Sequence, residues 1–147
     1  MLRGEWPGSV HANVEGRIYT AREGDPLAIA MLAPPWISIP PPAYGGIEQV
    51  VDLLTTEFIR RGHAVTLFAA AESRSTAHVT TLLDRQHPDE IQMALYEAEH
   101  TARAFDDIDA AAADGHPYDI VHDHCGFTAF APLGHAAGAQ PSRPVHP

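Results

Sequence analysis

The chain predicts an α/β domain whose parallel sheet is flanked by helices, on three observations. Residues 27–33, Leu-Ala-Ile-Ala-Met-Leu-Ala, are a continuous apolar run of strand length, the kind buried on both faces of a parallel sheet. Residues 46–61 then carry apolar side chains at helical spacing, and residues 64–69, Ala-Val-Thr-Leu-Phe-Ala, return at once to strand character. Strand, helix and strand in that order make a right-handed βαβ unit, and a second alternation follows it.

Each element has its own warrant. In the first helix Ile47, Val50, Val51, Leu54, Phe58 and Ile59 recur at three and four and define the expected inward face. Glu48 in its first turn and Arg60 and Arg61 in its last match the helix dipole, and Gly62 supplies the stop. Residues 78–83 form a weaker strand with β-branched members. Pro88 opens a long helix whose stripe of Ile91, Leu95, Ala98, Ala102, Phe105, Ile108 and Ala112 is expected inside, with a stop at Gly115. Residues 118–122 form a short strand, 127–137 resemble a small helix, and 144–147 read as the start of another strand. Residues 1–25 are polar and glycine-rich, expected as a mobile extension, with a short strand at 16–20 as the alternative.

Composition narrows the functions. At 147 residues and 45% hydrophobic composition there is enough material for one domain with a real core. A net charge of -10 opposes binding to nucleic acid or to an anionic membrane surface. All nine basic residues are arginines, so neither a P-loop lysine nor a Schiff-base lysine is available in this chain. The single cysteine, Cys125, fits a reducing compartment, and no apolar run approaches the ~20 residues of a membrane span. The expectation is a cytoplasmic protein without an integral membrane segment.

In parallel sheets ligands gather beyond the carboxyl ends of the strands. The segments that leave that edge are 34–46, 70–76 and 123–127. The first is a proline-stiffened loop that ends in Gly45-Gly46 at the mouth of a helix. Without Cβ atoms the pair lets backbone amides and the helix N-terminus approach an anion such as a diphosphate, and it equally makes a tight turn into the helix. A dinucleotide fingerprint is missing, because the loop is too long and lacks a third glycine. In His122-Asp123-His124-Cys125 an extended strand turns His122 and His124 to one side and Asp123 to the other, which opposes convergence on one metal ion. One histidine here either contacts a phosphate or hydroxyl, or caps the strand end. Cys125 reads as a small buried residue or a nucleophile. Glu72, Ser73 and Ser75 are polar loop residues or ligand contacts, and Trp36 and Tyr44 form an aromatic platform or pack the loop.

Taken together, Ile29-Ala-Met-Leu-Ala-Pro-Pro-Trp, Pro-Pro-Ala-Tyr-Gly-Gly-Ile-Glu-Gln-Val-Val51, Arg61-Gly-His-Ala-Val-Thr-Leu-Phe-Ala69 and Tyr118-Asp-Ile-Val-His-Asp-His124 resemble the N-terminal domain of GT-B glycosyltransferases of family 4. The resemblance runs from about Leu27 onward and implies a Rossmann-like parallel sheet, the N-terminal half of a GT-B fold. It implies sugar transfer from a nucleotide-sugar donor to an acceptor, without metal or other cofactor. Carried across, Gly45 and Gly46 correspond to the glycine loop that approaches the donor diphosphate, and His124 to the histidine near the transferred sugar. Tyr44, Glu48 and Ser73 lie in loops on the acceptor side.

The resemblance also sets an expectation about extent. Residues 26–147 correspond to the acceptor-side domain, incomplete at its C-terminus, and the domain that holds the nucleotide-sugar is expected to be absent from this sequence. An inactive fragment follows as the leading expectation. The alternatives are a non-catalytic α/β binding domain that pairs with a separate donor domain, and a metal-dependent hydrolase built on His122, Asp123 and His124. An exposed sheet edge makes self-association a further expectation.

Overall fold

The computed structural model describes residues 24–126 together with two short strands, β1 (Val10–Ala12) and β2 (Ile18–Thr20). These two pair antiparallel as a separate two-stranded sheet. The alternative of a strand near 16–20 is therefore the one the backbone shows, paired with β1 instead of extending the main sheet. The small helix at 127–137 and the strand at 144–147 lie outside the described residues.

The main sheet contains β3 (Ala28–Leu32), β4 (Ala64–Ala69), β5 (His78–Thr81) and β6 (Ile120–Asp123), all parallel, in the spatial order β5-β4-β3-β6. Two helices cover it: α1 (Gly46–Arg60) between β3 and β4, and α2 (Ala94–Ala113) between β5 and β6. From β3 the chain steps outward to β4 and β5, then α2 carries it back across the opposite face to β6 on the other side of β3. The strand order thus reverses between β3 and β6, the place where α/β sheets open a crevice.

Alternation along β3 explains both faces. Ile29 and Met31 join Val51, Val65 and Leu67 beneath α1, while Ala30 and Leu32 join Phe68, Ala104, Phe105 and Ile108 beneath α2. Each large apolar side chain so buried contributes about 1.5–3 kcal/mol. The two-sided apolar character expected of the first strand is what the structure has.

The inward faces of both helices depart in part from the periodic reading. In α1 Val51 is buried and Leu54, Phe58 and Ile59 pack against the core as expected, whereas Ile47 and Val50 are 49% and 48% exposed and Glu48 and Thr55 are buried instead. The helix lies over β3 and β4, and the flank carrying Ile47, Val50 and Phe58 turns toward the edge strand β6, where the Phe58 ring meets His122 at 6.3 Å. The long helix does not begin at Pro88. Residues Pro88–Glu90 form one 3-10 turn, Ile91 is extended, and Gln92 has φ +74°, so α2 starts only at Ala94. Its inward stripe is His100, Thr101, Ala104, Phe105 and Ile108, and Ile91 and Leu95 stay exposed. Two polar residues hidden inside shifted the phase that apolar spacing alone implied.

The amino edge of the sheet is closed by side chains. His63 Nδ1 accepts from the Leu27 amide at 3.2 Å, Asp119 accepts from the Ala28 amide at 2.8 Å, and the Tyr118 hydroxyl donates to Thr66 at 3.0 Å. These three side chains are satisfied by the sheet itself. No helix among the described residues is long and apolar enough to cross a membrane.

Candidate functional site

At the carboxyl edge the chain leaves β3 through the proline loop. Trp36 and Ile39 are buried, so the tryptophan packs the loop onto the sheet instead of offering an open platform. The loop is tied to its neighbours. The Ile39 amide donates to Ser73 Oγ at 2.9 Å, the Arg74 amide to the Ile39 carbonyl at 2.6 Å, and the Ser38 amide to Gln86 Oε1 at 3.1 Å. Gln86 in turn donates to Glu72 at 3.0 Å, and the Ala77 amide donates to Ser75 Oγ at 3.2 Å. Ser73 therefore anchors the loop as an acceptor and keeps its hydroxyl proton for a further partner.

The two glycines have separate reasons. A Cβ on Gly45 would fall 2.7 Å from Pro41 Cβ and 3.0 Å from Glu48 Oε2, so this residue is glycine because of packing. A Cβ on Gly46 would meet nothing within 4 Å. Gly46 thus opens α1 outward, where the first amides of a helix have no intrahelical acceptor and no side chain caps them. Glu48 is buried and folds back on the Gly45 side, leaving the Gly46 side clear. Tyr44, just before the pair, is 89% exposed.

On the other side of the reversal point, β6 delivers its histidines as alternation requires. His122 pairs in register with Met31 and His124 follows on the same face, with the two rings stacked at 4.6 Å, while Asp123 pairs with Leu32 and turns to the α2 face. Asp123 thus diverges from the two stacked histidines, and no group of three metal-ligating side chains occurs among the described residues. The His124 amide donates to the Leu32 carbonyl at 2.9 Å, but its Nε2 is buried without a hydrogen-bond partner. Burial, reinforced by His122, lowers the His124 pKa, so its imidazole is neutral at physiological pH.

Beneath this strand end lies a polar layer that apolar spacing does not flag. Asp123 accepts from the Cys125 amide at 2.8 Å, and burial raises its pKa. The Cys125 thiol is pushed well above its usual range, chiefly by burial and then by Asp123, which makes it a packed residue and not a ready nucleophile. Glu97 from α2 accepts from the Gly126 amide, and a Cβ at Gly126 would fall 2.8 Å from that carboxylate. The glycine following His-Asp-His-Cys is the one sequence signal for this contact.

The proline loop, the uncapped start of α1 and His124 share the carboxyl edge on the α1 face. Phe58 lies about 18 Å from Gly46 along the helix, and His124 lies about 7 Å beyond His122 along the strand. Since Phe58 meets His122, the start of α1 stands roughly 10 Å farther out than His124.

A Rossmann-like α/β domain with its ligand edge at the β3/β6 reversal is the class that these features define. The sequence profile of Glycosyltransferase Family 4 matches residues 44–145, and the chain belongs to that family. The match spans the glycine pair, α1 and β6, and it bears out the resemblance to the N-terminal domain of such enzymes. A search of curated proteins finds no match.

Proposed function

We propose that this domain forms the acceptor side of a glycosyl-transfer cleft, in which a sugar passes from a nucleotide-sugar to an acceptor hydroxyl. The observation that carries the reading is the unpartnered Nε2 of His124, set at the reversal point on the same face and edge as the uncapped start of α1. In such a transfer the bond from the anomeric carbon to the acceptor oxygen forms as the bond to the diphosphate oxygen breaks, the acceptor's hydroxyl proton passes to the departing diphosphate, and negative charge grows on that diphosphate as it leaves. Backbone amides at Gly46 and the helix dipole suit that charge without a metal. A neutral His124 suits a hydroxyl of the transferred sugar better than a phosphate. Gly45 holds the helix start in place, and Tyr44, Glu48 and Ser73 border the acceptor side.

Segments 33–45, 70–76 and 124–126 contain one cation, Arg74. The remaining charge of a diphosphate therefore has to be met by a donor-binding domain that closes on this edge, on the same polypeptide or on another. By itself the 147-residue chain is expected to turn over no nucleotide-sugar. Incubating it with labelled nucleotide-sugars and a range of acceptors tests this, and measurable transfer would remove the need for a second domain.

A further inference from the structure

A second feature lies at the far side of the carboxyl edge, past the end of β5. A cavity of about 170 Å³ is lined by Leu83, Asp84, His87, Tyr96, Glu99 and Arg103. It is held open by the chain's own bonds: Arg103 donates to the Leu82 carbonyl at 2.7 Å and to Glu99 at 2.6 Å. His87 is 3% exposed and stacks on Tyr96 with ring centroids 4.0 Å apart. Its Nδ1 has no hydrogen-bond partner and faces Glu90 Oε2 at 3.6 Å, while Arg85 grips the other Glu90 oxygen at 2.7 Å.

We infer that this cavity is a subsite for one neutral sugar ring, the part of an extended acceptor that lies away from the reacting hydroxyl. A closed apolar cavity of about 150 Å³ holds benzene, so the volume here is on the scale of a single six-membered ring. Tyr96, stacked on His87 on one face, offers the rest of its ring as an apolar surface, and the Asp84 and Glu99 carboxylates offer acceptors for hydroxyl protons. Arg103 is already bonded to Glu99 and the Leu82 carbonyl, so it is not free to grip a phosphate or carboxylate ligand. Three strand spacings separate β5 from β6, about 14 Å, which places the cavity well away from His124. The His87 amide donates to the Pro35 carbonyl at 3.3 Å, which ties the subsite to the loop leading to Gly45.

The role in transfer rests on the acceptor-side reading, whereas the binding does not. Saturation-transfer NMR on the 147-residue chain with methyl glucoside, methyl galactoside and methyl mannoside should find at least one that binds with a millimolar dissociation constant. Tyr96→Ala should weaken that binding about three- to tenfold. Glu99→Gln, at a partly exposed position that leaves the core intact, should weaken it about threefold, and Leu53→Gln on α1 should not change it. Binding of none of the three glycosides, or binding that both Tyr96→Ala and Glu99→Gln leave unaltered, overturns the subsite. Glycoside binding without transfer in a protein that carries a donor-binding domain would sink the acceptor-side reading and leave the subsite standing.

Discussion

The two edges of the sheet use the same residue types for opposite ends. At the amino edge a histidine, an aspartate and a tyrosine are all consumed by the fold: His63 by Leu27, Asp119 by Ala28, Tyr118 by Thr66. At the carboxyl edge His124 keeps an unpartnered Nε2, Tyr44 points into solvent, and the helix start between them has no cap. Buried polar groups are ordinarily paired, so the unpartnered His124 Nε2 calls for an explanation, which the proposed cleft supplies. The difference separates a histidine whose ring nitrogen is bonded to the backbone from one whose buried Nε2 has no partner.

The largest expected effect tests what supports the open edge from below. His100 lies fully buried against the Ala33 and Phe68 backbone, and burial, which outweighs those contacts, lowers its pKa to about 4. In the unfolded chain it titrates near 6.5, so between those values the unfolded state binds more protons. The stability it contributes is complete above pH 6.5 and is lost as pH falls toward 4, up to about 3 kcal/mol. Urea unfolding from pH 7.5 to 4 should show a steep decline in the native protein and a flatter one in His100→Leu. Equal slopes would mean that the histidine is not buried neutral.

Next in size is the contrast between the histidines themselves. In a protein that carries the donor-binding domain, His124→Ala should lower transfer about a hundredfold, while the denaturation midpoint changes little. His63→Ala should do the reverse. If both variants lost stability alike and retained transfer, the two edges would not differ in the way argued here.

The glycine pair sharpens the same point. Gly45→Ala should cost about 2 kcal/mol, because the new Cβ would strike the rigid Pro41 ring, and thermal unfolding reads this directly. Gly46→Ala should leave the melting temperature nearly unchanged, since its Cβ meets open space, and any loss of transfer would then report on ligand approach. A smaller loss than at Gly45 is expected at Asp119→Ala, which removes an acceptor from the Ala28 amide and should cost about 1 kcal/mol with transfer intact.

Much of this was legible in the residues. The strand runs at 27–33 and 64–69, the βαβ order, the glycine-marked helix entry and the divergence of His122 and Asp123 follow from period and spacing, and the structure repeats them. The resemblance that those segments carry led to the family. Illegible were the break at Gln92 and the inward turn of His100 and Thr101, because an apolar stripe says nothing about polar residues that a neighbouring backbone accommodates. Also hidden were the contact of Glu97 with Gly126 and the meeting of His87 with Tyr96 and Glu90, which join side chains from separate turns.

The sequence by itself determined the elements, their parallel order and the residues at the carboxyl edge, since these depend on local spacing and chain direction. Only the tertiary structure decided which of those residues are engaged. Whether a histidine is a backbone partner, a buried neutral support or an open contact depends on which atoms lie within about 3 Å, and those atoms come from distant parts of the chain.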